Sequence, residues 1–141
     1  MMDFAQMERH YRILEVIDLY ERILSQFDAD LRSRQLDGVS HSGYHADRYG
    51  ERLAKKEESL EKLRRLKALA AAQAPEVEAT IVRAAGGGRA AVKAELILRA
   101  RYQSGRSWAE IADILHEKNA GQIRNFIIQR LEKAEERGQR G

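Results

Sequence analysis

The sequence contains no cysteine and only one proline, and aromatic residues make up 6% of its 141 positions. Without cysteine there are no disulfides and no thiolate ligands for a metal. No apolar run approaches the roughly 20 residues that a membrane-spanning helix needs, and the N-terminus lacks the apolar core of a signal peptide. We therefore expect a cytoplasmic protein that has no membrane partner and binds no cofactor.

Charged residues are abundant, at 33% of the chain, and alanine and leucine supply much of the apolar content. This composition favours long helices over a β-sandwich, so we expect an all-α fold. The segment up to Gly88 has 14 Lys and Arg against 15 Asp and Glu, whereas the segment from Arg89 onward has 11 against 7. The basic excess of the C-terminal third suggests a polyanionic partner for that part.

Two long stripes of apolar residues occupy the first half of the chain. The first recurs at steps of three and four from Asp3 to about Ser33, which predicts one long helix with a capping box at Asp3 and Gln6. The second, between about Asp47 and Ala72, predicts a partner helix, and together they predict an antiparallel helical hairpin. The same stripes could also pair between two copies of the chain, which would make the protein a homo-oligomer through its N-terminal helices.

Glycine, serine and proline divide the chain further. The stretch from Leu36 to His45 reads as a loop, and Gly43 between His41 and His45 argues against a metal site there. Pro75, followed by acidic residues, predicts the first turn of a separate helix. The three consecutive glycines 86–88 predict its end, and hence a boundary between a hairpin lobe, 1–85, and a second lobe, 89–136.

The second lobe has the pattern of a tri-helical helix-turn-helix. A helix from Val92 to Tyr102 is closed by Ser104 and Gly105, and a capping box at Ser107 and Glu110 then starts a short second helix. A third helix begins near Asn119. The turn before it needs a residue that tolerates positive φ, and three residues are candidates for this role: His116, Asn119 and Gly121.

The third helix carries amides opposite its apolar face. With Ile127 at the centre of the buried side, a rotation of 100° per residue places Gln122, Asn125 and Gln129 on the other side. Amide side chains can bond bidentately to adenine edges, so these three are our candidates for base reading. Nearby cations are candidates for phosphate contacts, namely Arg101, Arg106, Lys118 and Arg124.

The sequence gives weaker signs of base stacking and of catalysis. Trp108 directly follows a helix cap and is expected to be a core anchor rather than a stacking platform. Glu57, Glu58 and Glu61 alternate with cations and are typical of a solvated helix face rather than of an acid–base pair. We find no nucleophile with a base, no phosphate loop and no metal quartet, and therefore expect no enzymatic activity.

The segment LRARYQSGRSWAEIA, from Leu98 to Ala112, resembles the C-terminal helix-turn-helix of sigma-factor region 4 and of related small phage and prophage transcription regulators. The resemblance covers about Leu96 to Glu132. It implies that Arg101 and Tyr102 support the first helix and that Trp108, Ile111 and Ala112 form the core of the turn. It also implies that the helix from about Ala120 to Lys133 enters the groove of DNA.

These patterns lead to a first hypothesis, that the chain is a phage or prophage transcription regulator which binds double-stranded DNA. Its helical hairpin would dimerise or contact RNA polymerase. An alternative is a DNA-packaging assembly protein similar to a small terminase subunit, in which the helices would form a ring. A third is a helical adaptor that binds only protein. Light scattering and the salt dependence of duplex binding distinguish the three.

Overall fold

The structure is a computed structural model that describes the backbone of residues 1–36 and 44–140 and the side chains of residues 1–30 and 50–138. Every regular element in this part is a helix, which confirms the expected all-α class. The helices are α1 (Phe4–Leu36), α2 (Tyr44–Ala85), α3 (Ala91–Tyr102), α4 (Trp108–Ile114) and α5 (Ala120–Arg140). None of them is long and apolar enough to cross a membrane. Most of the predicted loop, including His41 and Gly43, lies outside the described residues.

Helix α1 begins as its capping residues predict. The Asp3 N–H donates to Gln6 Oε1 over 2.9 Å, and the Gln6 N–H donates to Asp3 Oδ1 over 2.8 Å. These two bonds satisfy amide groups that have no partner in the first turn of a helix. The start of α1 is therefore fixed by two residues that are three positions apart.

Helix α2 differs from its prediction, because it continues through Pro75 as one element of 42 residues. Proline cannot donate to the carbonyl one turn earlier, which costs about 3 kcal/mol inside a helix. Burial on the C-terminal side of Pro75 offsets this cost, since Val77 is 1% exposed and Ile81 is fully buried. The expected break at Pro75 was wrong, whereas the expected end at the glycines is correct: Gly86 has φ 63° and Gly88 has φ 88°.

The chain divides into two compact units, one made of residues 1–15 and 70–141 and the other of residues 16–69. This division differs from the predicted lobes 1–85 and 89–136. The reason is a shared core, in which Met7 of α1 and Ile81 of α2 are buried together with Ile97, Ile111 and Ile127 of the last three helices. Both ends of the predicted hairpin lobe thus belong to the unit that contains α3, α4 and α5.

Polar contacts join the first turns of α1 to α2 within the larger unit. The Met2 N–H donates to Thr80 Oγ1 over 3.0 Å, and that buried hydroxyl donates to the Glu76 carbonyl over 2.8 Å. Further along α1, His10 Nδ1 lies 2.9 Å from Gln73 Oε1. These buried groups are all satisfied, so the start of the chain is held in place by more than apolar contact.

Helix α3 packs with one face rather than all round. Its buried residues are Ala94, Ile97, Leu98, Arg101 and Tyr102. Val92 and Leu96 are apolar but remain 69% and 58% exposed. Arg99 on the same helix forms a bidentate pair with Glu78 of α2 at 2.7 and 3.0 Å. Hydrogen bonds from Arg99 and from Gln103 hold the pKa of Glu78 below its ordinary value.

The smaller unit contains parts of α1 and α2. Leu24 and Leu63 are buried in it, and ion pairs join Glu21 to Lys67 at 2.9 Å and Asp28 to Lys56 at 2.6 Å. The later residue of α1 therefore pairs with the earlier residue of α2, as is expected where two helices run antiparallel. Leu19 and Ile23, one turn apart on α1, remain 54% and 50% exposed.

Candidate nucleic-acid interface

The start of α4 is fixed by the capping box that the sequence predicts. The Glu110 N–H donates to Ser107 Oγ over 3.1 Å, and the Ser107 N–H donates to Glu110 Oε1 over 3.4 Å. Arg106 donates to the other oxygen of the same carboxylate over 3.1 Å. The hydrogen bond from Arg106, followed by that from the Ser107 backbone, lowers the pKa of Glu110. The carboxylate is therefore held in its charged form at the positive end of the helix.

The turn between α4 and α5 depends on His116, which has φ 56° and is the one non-glycine residue with positive φ in the described part of the chain. The His116 N–H donates to the Asp113 carbonyl over 3.1 Å, and the Glu117 N–H donates to the Ala112 carbonyl over 2.8 Å. This pair of bonds is a Schellman motif. Of the three candidates His116 takes the left-handed conformation, whereas Asn119 accepts from the Gln122 N–H over 3.3 Å as a cap of α5.

Helix α5 packs on α3 and α4 through a narrow apolar face. Ile127 is fully buried, and Ile123, Leu131 and Ala134 are at most 2% exposed. These residues follow one another at steps of three and four, so they form one stripe along the helix. The rest of the circumference is left for other contacts.

The three predicted base-reading amides are all on the exposed side of α5. Gln122, Asn125 and Gln129 are each exposed. They recur at steps of three and four and therefore form one row on the helix surface. The sequence predicted this row from the position of Ile127 alone, and the structure brings the three side chains to the same face.

The four predicted phosphate contacts are not equivalent. Lys118 and Arg124 are exposed, and the Arg124 guanidinium lies 5.2 Å from the ring centre of Phe4. The side chain of Arg106 is 55% exposed but is paired with Glu110. An exposed pair of this kind is worth less than about 1 kcal/mol, so Arg106 can exchange its carboxylate for a phosphate at little cost.

The prediction that Arg101 contacts phosphate was wrong, because this residue is only 7% exposed and cannot reach a phosphate. Its guanidinium donates to both carboxylate oxygens of Glu8 over 2.9 to 3.2 Å. It lies 3.3 Å from the ring centre of Tyr11 and 4.4 Å from that of Trp108. A buried cation that lies close to two aromatic rings and is paired bidentately is a structural group.

No protein-family profile, no curated protein and no solved structure matches the chain. The part of the chain with described side chains contains no group of three or more carboxylate or imidazole side chains placed to hold a metal ion.

Two aromatic residues at the ends of α3 and α4 pack against each other. Trp108 is half-buried against the core, and its ring meets that of Tyr102 edge-on, with centres 6.5 Å apart and an angle of 85°. Tyr102 is fully buried, and its hydroxyl is the one buried side-chain group without a hydrogen-bond partner in the described part. Burial raises the pKa of this phenol, so it stays neutral. The expectation that Trp108 is a core anchor agrees with these contacts.

Glu8 is the residue that sequence reasoning missed. It lies 93 positions from Arg101, and its own surroundings on α1 give no sign of a role in the C-terminal unit. A pairing over this distance in sequence leaves no periodic or local signal. The one indirect sign is the basic residue inside the otherwise apolar face of α3.

Proposed function

We propose that the chain is a sequence-specific regulator of transcription that binds double-stranded DNA through α3, α4 and α5. In this proposal the three helices are a tri-helical helix-turn-helix, and α5 is the recognition helix that enters the major groove. The chain would act in the cytoplasm, without enzymatic activity, and would be encoded by a phage or prophage, as the resemblance to that family suggests.

The observation that carries the proposal is the exposed row of Gln122, Asn125 and Gln129 on α5. Each side chain offers one acceptor and two donors, which is the set that bonds bidentately to adenine in the major groove. The row stands opposite the buried Ile127 stripe, so the helix can present it while it stays packed on α3 and α4. Lys118, two residues before α5, and Arg124, in its second turn, are exposed and would contact phosphates.

The long helices have a separate role in the proposal. In the proposal, the parts of α1 and α2 in the smaller unit would make an antiparallel helical hairpin, and the exposed Leu19 and Ile23 would contact a second copy of the chain or RNA polymerase. A regulator of this kind would be a monomer or dimer in solution. A ring of many copies, measured by light scattering, would instead favour a DNA-packaging protein similar to a small terminase subunit.

The test is a selection of bound duplexes from random DNA, followed by binding measurements on the variant Asn125→Ala. Without one bidentate pair of hydrogen bonds, discrimination between the selected site and a site with one changed base pair should fall by about 1–3 kcal/mol. The binding of unselected DNA should change little, because phosphate contacts supply that affinity.

Gln26→Ala is the matched control, since it removes an exposed amide from α1 in the smaller unit. Its discrimination should equal that of the unaltered chain. A protein that binds no duplex, or whose affinity does not fall as salt rises, would contradict the proposal and favour a protein-binding adaptor.

A further inference from the structure

Three arginines meet where α2 ends. Arg83 is in the last turn of α2, and Arg130 and Arg137 are two turns apart on α5. A β-carbon on Gly86 would lie 3.5 Å from Arg130 Nη1 and 3.7 Å from Arg137 Nη2, and one on Gly138 would lie 3.1 Å from Arg83 Nη2. Arg130 and Arg137 of α5 thus lie beside Gly86 at the end of α2, and Arg83 of α2 lies beside Gly138 of α5, so the ends of the two helices carry three cations.

These three arginines differ from Arg99, Arg101 and Arg106 because no described carboxylate neutralises them. Arg99 is paired with Glu78 and Glu95, Arg101 with Glu8, and Arg106 with Glu110. Arg83, Arg130 and Arg137 form no ion pair with any described side chain, and no described hydrogen bond uses their donors. Gly86 has no side chain to cover them, and the negative end of the α2 dipole reduces the repulsion among them.

The cluster continues a basic side of α5. At 100° per residue, Arg130, Lys133 and Arg137 lie within one third of the helix circumference, whereas Glu132 and Glu135 lie on the other side of the amide row and Glu136 lies in line with it. The separation of sign leaves one flank of α5 positive along its second half. A polyanion that approaches the amide row is therefore attracted to that flank and repelled from the other.

We propose that Arg83, Arg130 and Arg137 form a second phosphate-binding site, which holds the backbone of DNA beyond the base-reading row. This inference rests on the proposed function and extends its interface. The guanidinium group is planar and offers five donors in a fork that matches the oxygens of a phosphate. Arg137 is eight residues from Gln129, or about 12 Å along the helix, which is comparable to the width of the major groove.

The experiment compares Arg130→Gln/Arg137→Gln with the unaltered chain by fluorescence anisotropy on one duplex over a series of salt concentrations. The slope of log affinity against log salt concentration should become shallower by about 0.9 for each phosphate that the variant no longer neutralises. Discrimination against a duplex with one changed base pair should stay the same. The control Lys55→Gln/Arg64→Gln removes the same charge from exposed positions of the smaller unit and should leave the slope unchanged.

A slope equal to that of the control, in a variant whose circular dichroism and melting temperature match those of the unaltered chain, overturns the inference while the proposed function stands. A titration of the unaltered chain with inorganic phosphate, followed on the arginine Nε–H signals by NMR, tests the site without DNA. Saturable shifts of Arg83, Arg130 and Arg137, absent for Arg64 and absent with chloride at equal ionic strength, support it. If no duplex binds, the DNA contact fails together with the proposed function.

Discussion

The ion pair between Glu8 and Arg101 should contribute more to stability than any other described ion pair. The Arg101 side chain is 8% exposed and that of Glu8 is 20% exposed, and the two share several hydrogen bonds of 2.9 to 3.2 Å. Removing one partner of a buried pair costs about 3–5 kcal/mol, because the other charge is left without compensation. The residual exposure of Glu8 places Glu8→Gln at the lower end of this range, at about 3 kcal/mol.

Urea unfolding measures this change directly. With a slope of about 2 kcal/mol per molar urea, a decrease of 3 kcal/mol lowers the midpoint by roughly 1.5 M, with the slope itself unchanged. The matched control is Asp18→Asn, which breaks an exposed pair with Arg22 at 2.9 Å. An exposed pair one helical turn apart is worth at most about 0.5 kcal/mol, so the urea midpoint of this variant should fall by at most about 0.25 M.

A double-mutant cycle separates the pair from the packing around it. In the Glu8→Gln background, Arg101→Met should cost less than it costs alone, because the buried charge no longer needs a partner and the methionine stem still packs against Tyr11 and Trp108. If Glu8→Gln shifts the midpoint no more than Asp18→Asn does, or if the two changes at Glu8 and Arg101 are additive, the structural role given to this pair is wrong.

Two further predictions concern the helix ends. His116→Val should destabilise the chain by about 2 kcal/mol, because a β-branched residue is strained at φ 56°. His116→Gly should stay within about 1 kcal/mol of the unaltered chain, because glycine adopts positive φ without strain. Urea unfolding measures both variants, and equal midpoints for the two would contradict the turn geometry. The lowered pKa values of Glu78 and Glu110 stabilise the fold above their ordinary value of 4.5, and this contribution disappears as pH falls through the lowered values. Glu110→Gln should therefore lose less stability than the unaltered chain between pH 7 and about pH 3, and an equal loss would refute the assignment.

Local signals in the sequence predicted the parts of the fold that depend on neighbours. The capping pairs Asp3 with Gln6 and Ser107 with Glu110 are three positions apart in the sequence. The turn conformation at His116 is a positive φ of that residue itself. A rotation from Ile127 was enough to find the exposed amide row, because helix geometry is regular. In each case the physical cause lies within about one turn of the residue concerned.

Tertiary packing decided the features that the sequence could not predict. Pro75 breaks a helix by local preference, but the buried residues after it hold α2 as one element. The predicted lobe boundary at the glycines placed the first turns of α1 in the wrong unit, because Met7 of α1 is buried in the same core as Ile127. Arg101 looked like a phosphate contact because its partner Glu8 is remote in sequence. These outcomes depend on long-range burial, which overrides local propensity.

The ion pairs of the C-terminal third show which of its basic residues remain without a carboxylate partner. Lys93, Arg99, Arg101 and Arg106 are each paired with a carboxylate, so they contribute little to the field that a partner meets. The cations without a described carboxylate partner include four on α5, namely Arg124, Arg130, Lys133 and Arg137. Three glutamates of α5, namely Glu132, Glu135 and Glu136, likewise have no described cation partner. A polyanion would therefore be attracted to the flank of α5 that carries Arg130, Lys133 and Arg137 rather than to α3, whose cations are paired, and α5 is the helix that also carries the exposed amide row.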